Sequence, residues 1–238
     1  SAAAGGVFET GGGDAKEKTD ETLFVPTNME VTTPAGACGV LSLTALTLHQ
    51  GQTNAELYAA LKNVGGTPAC SPAFSVTVFD RAENAVATGI AGVLVRNFYR
   101  LVDGSNTLAA CVGPGDVSLL SIRDLPPELV IDDVGRLEYR CTFWALDVVP
   151  AGSLSFADVH RVRGDSSVKF AGSLLNGLDV ALDTPSVAVF PLNRAGRPLG
   201  VALSSSTAQL PPGASWNFET TPVTDAGVEQ AAYPTSGP

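Results

Sequence analysis

The chain has 238 residues, 24 acidic against 14 basic side chains, and a net charge of −10. Charged residues make up 16% of it, below the ~25% of an average soluble domain, while an apolar fraction of 45% can fill a packed core. With 25 Gly and 16 Pro this excludes a charged disordered chain, a coiled coil and a helical repeat array, and no basic patch exists for reading nucleic-acid phosphates. No window approaches ~18 uninterrupted apolar residues, so no membrane-spanning helix is predicted.

Residues 1–28 are Ala, Gly, Thr and mixed charges (SAAAGG, GGG, DAKEKTDET), too polar to offset their ordering entropy. They predict a flexible tether of the kind left when an export signal is removed. Such a start also suits a lipid anchor on a cysteine upstream of Ser1, which would make the protein surface-attached.

Beyond the tether the chain repeats itself. Leu41–Asn63 (LSLTALTLHQGQTNAELYAALKN) aligns without a gap on Leu154–Asn176 (LSFADVHRVRGDSSVKFAGSLLN). Leu41, Ser42, Gly51, Leu61 and Asn63 match Leu154, Ser155, Gly164, Leu174 and Asn176. Ser75–Phe79 matches Ser186–Phe190, and Gly113-Pro114-Gly115 matches Pro211-Pro212-Gly213. A Pro-Ala-Gly triplet precedes each copy, at Pro34–Gly36 and Pro150–Gly152. The repeat predicts two domains, 29–149 and 150–222, with a loosely held tail over 223–238.

Period two sets the class. Leu57, Ala59 and Leu61 alternate with Glu56, Tyr58 and Lys62; Val168, Phe170, Gly172 and Leu174 alternate likewise, as do Val76 and Val78 and their counterparts Val187 and Val189. Alternation bounded by Gly, Asn and Pro means strands with one buried face. Asp80–Asn84 and Asn193–Gly196 read as hairpin turns. The expected fold is all-β: two tandem immunoglobulin-like antiparallel β-sandwich domains. Trp144 and Trp216 are expected to be packed, Trp216 alternating with Phe218.

The run Val76-Thr77-Val78-Phe79-Asp80, with the Pro-Gly elements at Gly113–Asp116 and Leu210–Gly213, resembles the motif of the FxLYD family of small exported β-sandwiches. The second copy departs from it, since Pro191 replaces the Asp. The resemblance implies a bacterial or archaeal cell-surface domain and no catalytic residues.

Four cysteines, Cys38, Cys70, Cys111 and Cys141, form no C-x-x-C pair and lie far from His49 and His160 in sequence. Their number and spacing predict two disulfides rather than zinc, and hence an exported protein. Three connectivities are open. Cys70 and Cys111 are missing together from the second copy, which favours Cys70–Cys111 with Cys38–Cys141.

Chemistry is not conspicuous. Neither histidine lies in a G-x-S-x-G elbow, and Asp132-Asp133 reads as a solvated acidic loop. No cofactor or metal is expected. The stretch from Phe79 to Gly115 is about 13 residues longer than its counterpart from Phe190 to Gly213, and the extra residues fall near Arg96, Phe98, Tyr99 and Arg100. Aromatics with Arg on a loop extension predict an interaction surface. The expected function is a non-enzymatic structural or interaction module outside the cytoplasm, meeting an envelope or surface protein or polymer. A carbohydrate-binding accessory domain, an enzyme with an unrecognised site, and an assembly subunit using strand addition are the alternatives.

Overall fold

A computed structural model describes residues 22–24, 28–51, 53–105, 107–194, 197–224, 228, 230–232 and 235–236. The expected tether thus lies mostly outside the described residues, apart from a short strand at Thr22–Phe24.

In chain order the first strands are β1 (Thr22–Phe24), β2 (Glu30–Thr32), β3 (Leu41–Gln50), β4 (Ala55–Asn63), β5 (Ala69–Asp80) and β6 (Ala85–Gly92). Next come β7 (Asn97–Leu101), β8 (Leu108–Val112), β9 (Val117–Ile122), β10 (Val134–Trp144), β11 (Val148–Arg163) and β12 (Ser167–Asn176). The last are β13 (Ser186–Leu192), β14 (Ala202–Ser205), β15 (Ser215–Glu219), β16 (Val223–Thr224), β17 (Gln230–Ala232) and β18 (Thr235–Ser236). A 3-10 turn at Ile131–Asp133 is the one helical element among the described residues. The all-β class follows from the alternation, and the arrangement is β-sandwich-like.

The strands gather into two compact units. One holds the described residues up to Val93 together with 113–145; the other holds 94–112 together with those from 146 onward. The sequence reading places one boundary at Pro150, whereas the chain passes between these units three times. The extra residues of the first copy form the β7–β8 hairpin, and that hairpin belongs to the second unit because β7 pairs with β11.

In the first unit one sheet runs β1-β3-β4-β9, with β1 parallel to β3, and the other runs β2-β10-β5-β6, with β2 parallel to β10. Strand β5 shows why the pattern works: Phe74, Val76 and Val78 are buried, while Ser75, Thr77 and Phe79 face the other way. Tyr58 departs from its expected outward, polar place. It is only 1% exposed, because the His49 ring stacks on it with centroids 5.5 Å apart.

In the second unit β15-β12-β11-β7-β8 run side by side, and β13 pairs with β14, β17 and β18. Its core gathers Phe98, Leu154, Phe170, Leu174, Val189 and Phe218, among others. The tail read as loosely held contributes β16, β17 and β18, and buries Val228 in that core.

The repeat reappears as shared register. Leu41 lies opposite Asn63 and Leu154 opposite Asn176; Leu48 lies opposite Leu57 and Arg161 opposite Phe170. Each hairpin carries one bulge, after Leu43 in the first and after Ala157 in the second.

Asn63 and Asn176 are both fully buried. The Asn63 backbone N–H donates to Asp116 O (3.0 Å), and its carbonyl accepts from Gly115 N (2.8 Å). Asn176 makes the same two bonds with Ala214 O (3.0 Å) and Gly213 N (2.8 Å). The side chains repeat as well. Asn63 Nδ2 donates to Thr67 O and Oδ1 accepts from Gly65 N, while Asn176 Nδ2 donates to Val180 O and Leu210 O and Oδ1 accepts from Leu178 N. Gly115 (φ +80°) and Gly213 (φ +70°) follow Pro114 and Pro212, the arrangement of a type II turn, where a side chain at the second central position would be strained. The matched Asn and Pro-Gly elements are therefore the two halves of one hydrogen-bonded fastening.

The Asp80 carboxylate closes the β5–β6 turn by accepting from Ala82 N (2.8 Å) and Asn84 N (2.9 Å). In the second copy, where Pro191 replaces the Asp, the role moves two residues on. Asn193 Oδ1 accepts from Arg197 N (2.9 Å), and Asn193 N donates to Arg197 O (3.0 Å).

Removing a buried amide that bonds several backbone groups leaves those groups unsatisfied, at a cost of about 1–3 kcal/mol each. Asn176→Ala is expected to lower unfolding free energy by roughly 2–4 kcal/mol in a denaturant titration. Asn217→Ala, which loses only an exposed bond from Ser173, should cost under about 1 kcal/mol. Equal effects at the two positions would rule out the fastening.

Candidate interaction surface

Strand β7 carries the residues expected to form an interaction loop. It is an interior strand, flanked by β8 (Phe98 opposite Ala110, Tyr99 opposite Ala109) and β11 (Phe98 opposite Gly152, Tyr99 opposite Pro150). Alternate side chains must then face the core, and Phe98 is 2% exposed within it. This corrects Phe98 from a partner-binding residue to a packing residue. Gly152 permits the pairing: it sits at φ +140°, and a Cβ there would lie 2.5 Å from Gly177 O. The half-buried Arg100 binds both carboxylate oxygens of Asp179 through Nη2 at 2.6 and 2.7 Å. Asp179 is largely exposed, so the pair contributes under about 1 kcal/mol. Arg96 is half-buried, and its carbonyl accepts from Leu154 N (3.0 Å); Tyr99 is half-buried as well.

Both disulfides are formed. Cys38 is joined to Cys141 with Cα atoms 4.5 Å apart, fastening the turn before β3 to β10 of the same unit. Cys70 and Cys111 are also disulfide-bonded, and no described cysteine is free. Trp144, expected to be packed, is 67% exposed at the end of β10; Trp216 packs against the second core beside Phe218.

A long exposed run lies on the outer half of β11, in the β11–β12 hairpin. From Ala157 to Ser166 every residue is exposed except the half-buried Val159, yet the ladder continues to Arg163 opposite Val168. Gly164 N donates to Ser167 O (2.8 Å), which leaves Asp165 and Ser166 as a two-residue loop at the tip. The sister hairpin differs at the same positions: Thr47 and Leu48 are buried where His160 and Arg161 are exposed, and β1 lies along β3 at Ala45–Thr47. The bulge residue Asp158 takes φ +54°, and its carbonyl bonds His160 Nδ1 (2.7 Å). Arg161 Nη1 donates to Val228 O (2.7 Å), which steadies the arm's base. The tip thus offers Arg163 and Asp165, opposite charges flanking Gly164, both exposed. This feature was missed from sequence, where the polar run HRVRGD could have marked it.

A second cluster lies on the β3–β4 hairpin. His49 Nε2 is 3.4 Å from Glu56 Oε2, and the Tyr58 hydroxyl donates to the same oxygen at 2.7 Å. Among the described residues, the buried His49 Nδ1 and Thr47 Oγ1 have no hydrogen-bond partner. The His49 contact holds the Glu56 carboxyl below its ordinary range, against the opposing effect of burial and with help from Tyr58. Burial first, and the bond to Glu56 second, push the Tyr58 hydroxyl well above its ordinary value. Among the described residues no three His, Cys, Asp or Glu side chains gather to hold a metal ion, and no helix is long and apolar enough to cross a membrane.

No protein-family model and no curated protein matches the chain. Among solved structures it is similar to red sea bream transglutaminase at 11% identity and a TM-score of 0.21, over 83% of this chain and 31% of that one. The chain spans about a third of that protein's length, and a likeness at this score carries no argument.

Two outcomes are expected. Replacing Cys38 and Cys141 with Ser should lower unfolding free energy by about 2–5 kcal/mol, read by denaturant titration under non-reducing conditions; an unchanged midpoint overturns it. Glu56, depressed when folded, adds stability that is present above its ordinary value of 4.5 and is lost as pH falls through the lower folded value. Tyr58, raised when folded, adds stability that is present below 10.0 and is lost as pH rises beyond it. Glu56→Gln should flatten the acid limb of a stability-versus-pH profile, and Tyr58→Phe the alkaline limb.

Proposed function

We propose that the chain is an exported, non-enzymatic interaction module that displays the β11–β12 arm to a partner on a cell surface or envelope. The observation that carries this reading is the arm itself. Ten consecutive residues, 157–166, are exposed except for half-buried Val159, while His160–Arg163 stay paired with Val168–Ala171 of β12, whose Val168 and Phe170 are buried in the core, so the exposed edge is held stiffly. Function carried on a projecting turn held by a rigid sheet is the usual division of labour in β-rich binding domains. Two disulfides suit an oxidising compartment and support a location outside the cytoplasm. The motif resemblance to FxLYD domains points the same way.

The partner is a protein or polymer that meets mixed charge, with Arg163 and Asp165 exposed at the tip beside the exposed His160 ring. Lys169, lower on the arm, is already bonded to Glu219 at 2.7 Å. The test is co-sedimentation of the full chain with the envelope fraction of the cells that export it. The triple variant H160S/R163S/D165S should bind at least about tenfold more weakly, because removing a charged or polar contact from such an interface costs about 1 kcal/mol each time. Its melting temperature should stay within a few degrees of wild type, since none of the three positions is buried. Full binding by a folded triple variant overturns the reading.

A further inference from the structure

Strand edges are the natural place for β proteins to pair with other chains, and most edges are blunted by charge, bulges or shortness. Edges of this protein follow that rule in three places. Strand β14 has four residues, the outer part of β11 carries the Asp158 bulge with exposed His160, Arg161 and Arg163, and β9 is buried at Ser118–Leu120 and Ile122.

Strand β6 does not. It is eight residues long, and among the described residues it pairs only with β5. From Asn84 to Val95 (NAVATGIAGVLV) there is no charge and no proline. Its inward positions are small and committed: Ala87 is 7% exposed, and a Cβ on Gly89 would lie 2.6 Å from Ile122 Cγ2. Its outward positions are Val86, Thr88 and Ile90, all exposed. Ile90, at 74%, is the most exposed large apolar side chain among the described residues.

We propose that β6 pairs antiparallel with β6 of a second copy of this chain, about a two-fold axis at Thr88. The pattern is symmetric about that residue. Thr88 meets Thr88, Val86 of one copy meets Ile90 of the other on the outer face, and Ala87 meets Gly89 on the inner face. An isologous contact requires this self-complementarity, and the apolar cross-strand pairs cover one another. Like net charge opposes the pairing only at a distance, not at the strands that meet. Each copy carries −10, and the pairing joins them at an uncharged segment. The nearest acid, Glu83, is bonded to Arg136 at 2.8 and 3.0 Å and falls opposite Val93 of the other copy. The inference does not rest on the arm described above, and its test does not involve the envelope.

The experiment is sedimentation equilibrium of the full, oxidised chain over a range of concentrations. Wild type is expected to form a reversible dimer, strengthened by added salt as the like net charges are screened. Ile90→Lys should raise the dimer dissociation constant at least about tenfold, because each interface then sets two lysines against apolar neighbours; circular dichroism should be unchanged, since position 90 is exposed. With no free cysteine among the described residues, Thr88→Cys adds one new thiol, which should give a covalent dimer on mild oxidation, whereas Glu83→Cys should not. A strictly monomeric wild type, a dimer indifferent to Ile90→Lys, or no cross-link at position 88 in the dimer fraction each overturns the proposal. So does capture of a strand from a different protein by a chain that stays monomeric alone.

Discussion

The fastening of Asn63 to the Gly113–Asp116 turn, and of Asn176 to the Pro211–Ala214 turn, is the constraint on which the architecture hangs. Each asparagine ends the hairpin's second strand, and its backbone reaches across to the turn that launches the next strand of the same sheet. Its amide at the same time collects the carbonyl and N–H groups of the loop that leaves the hairpin. The Asn63 and Asn176 side chains are themselves fully buried, so each must find partners for both its donor and its acceptor at the junction. Glutamine is too long and aspartate lacks the donor, which explains the same residue type in both copies.

Around this fastening the two copies diverge by what covers their hairpins. The β3–β4 hairpin is flanked by β1, and Thr47, Leu48, Ala55 and Leu57 are buried, with Glu56, Tyr58 and His49 forming a polar cluster beside them. The β11–β12 hairpin is flanked by β7 lower down, at Val148–Ser153, and by β15 and β16 along β12, so only the upper half of β11 has no described neighbour on its outer side, and there it turns charged. The same pairing register therefore yields a packed element in one unit and a displayed element in the other. The difference lies in the flanking strand rather than in the hairpin itself.

Much of this was legible in the residues. The repeat, the strand alternation and the turns could be read because they are local or are written twice, and the favoured Cys38–Cys141 pairing came from comparing the copies. What could not be read is non-local. The period-two rule puts Phe98 on an apolar face without saying whose core that face joins. It is the pairing of β7 with β11, some 50 residues away in the chain, that buries it. Trp144 looked like core because large aromatics usually are, yet it follows a register shift at the end of β10 and faces solvent. Pro191 broke the motif but not the turn, because an Asn two residues later offers the same acceptor. The charged tip residues Arg163 and Asp165 are written in the sequence, but at positions where the two copies differ, so the repeat does not mark them.

The path of the chain through the β7–β8 hairpin has a consequence for dissecting the molecule. Because 94–112 is spliced into the middle of the first unit's sequence yet completes the second unit's sheet, no single cut yields two whole parts. A fragment ending near residue 149 carries an orphan hairpin whose Phe98 is stripped of its surroundings. A fragment beginning there lacks β7 and leaves Leu154, Phe170 and Leu174 uncovered on one flank. Proteolytic nicking of the linker near residue 146 should leave the pieces joined, and a gene split at the repeat boundary should give two insoluble products.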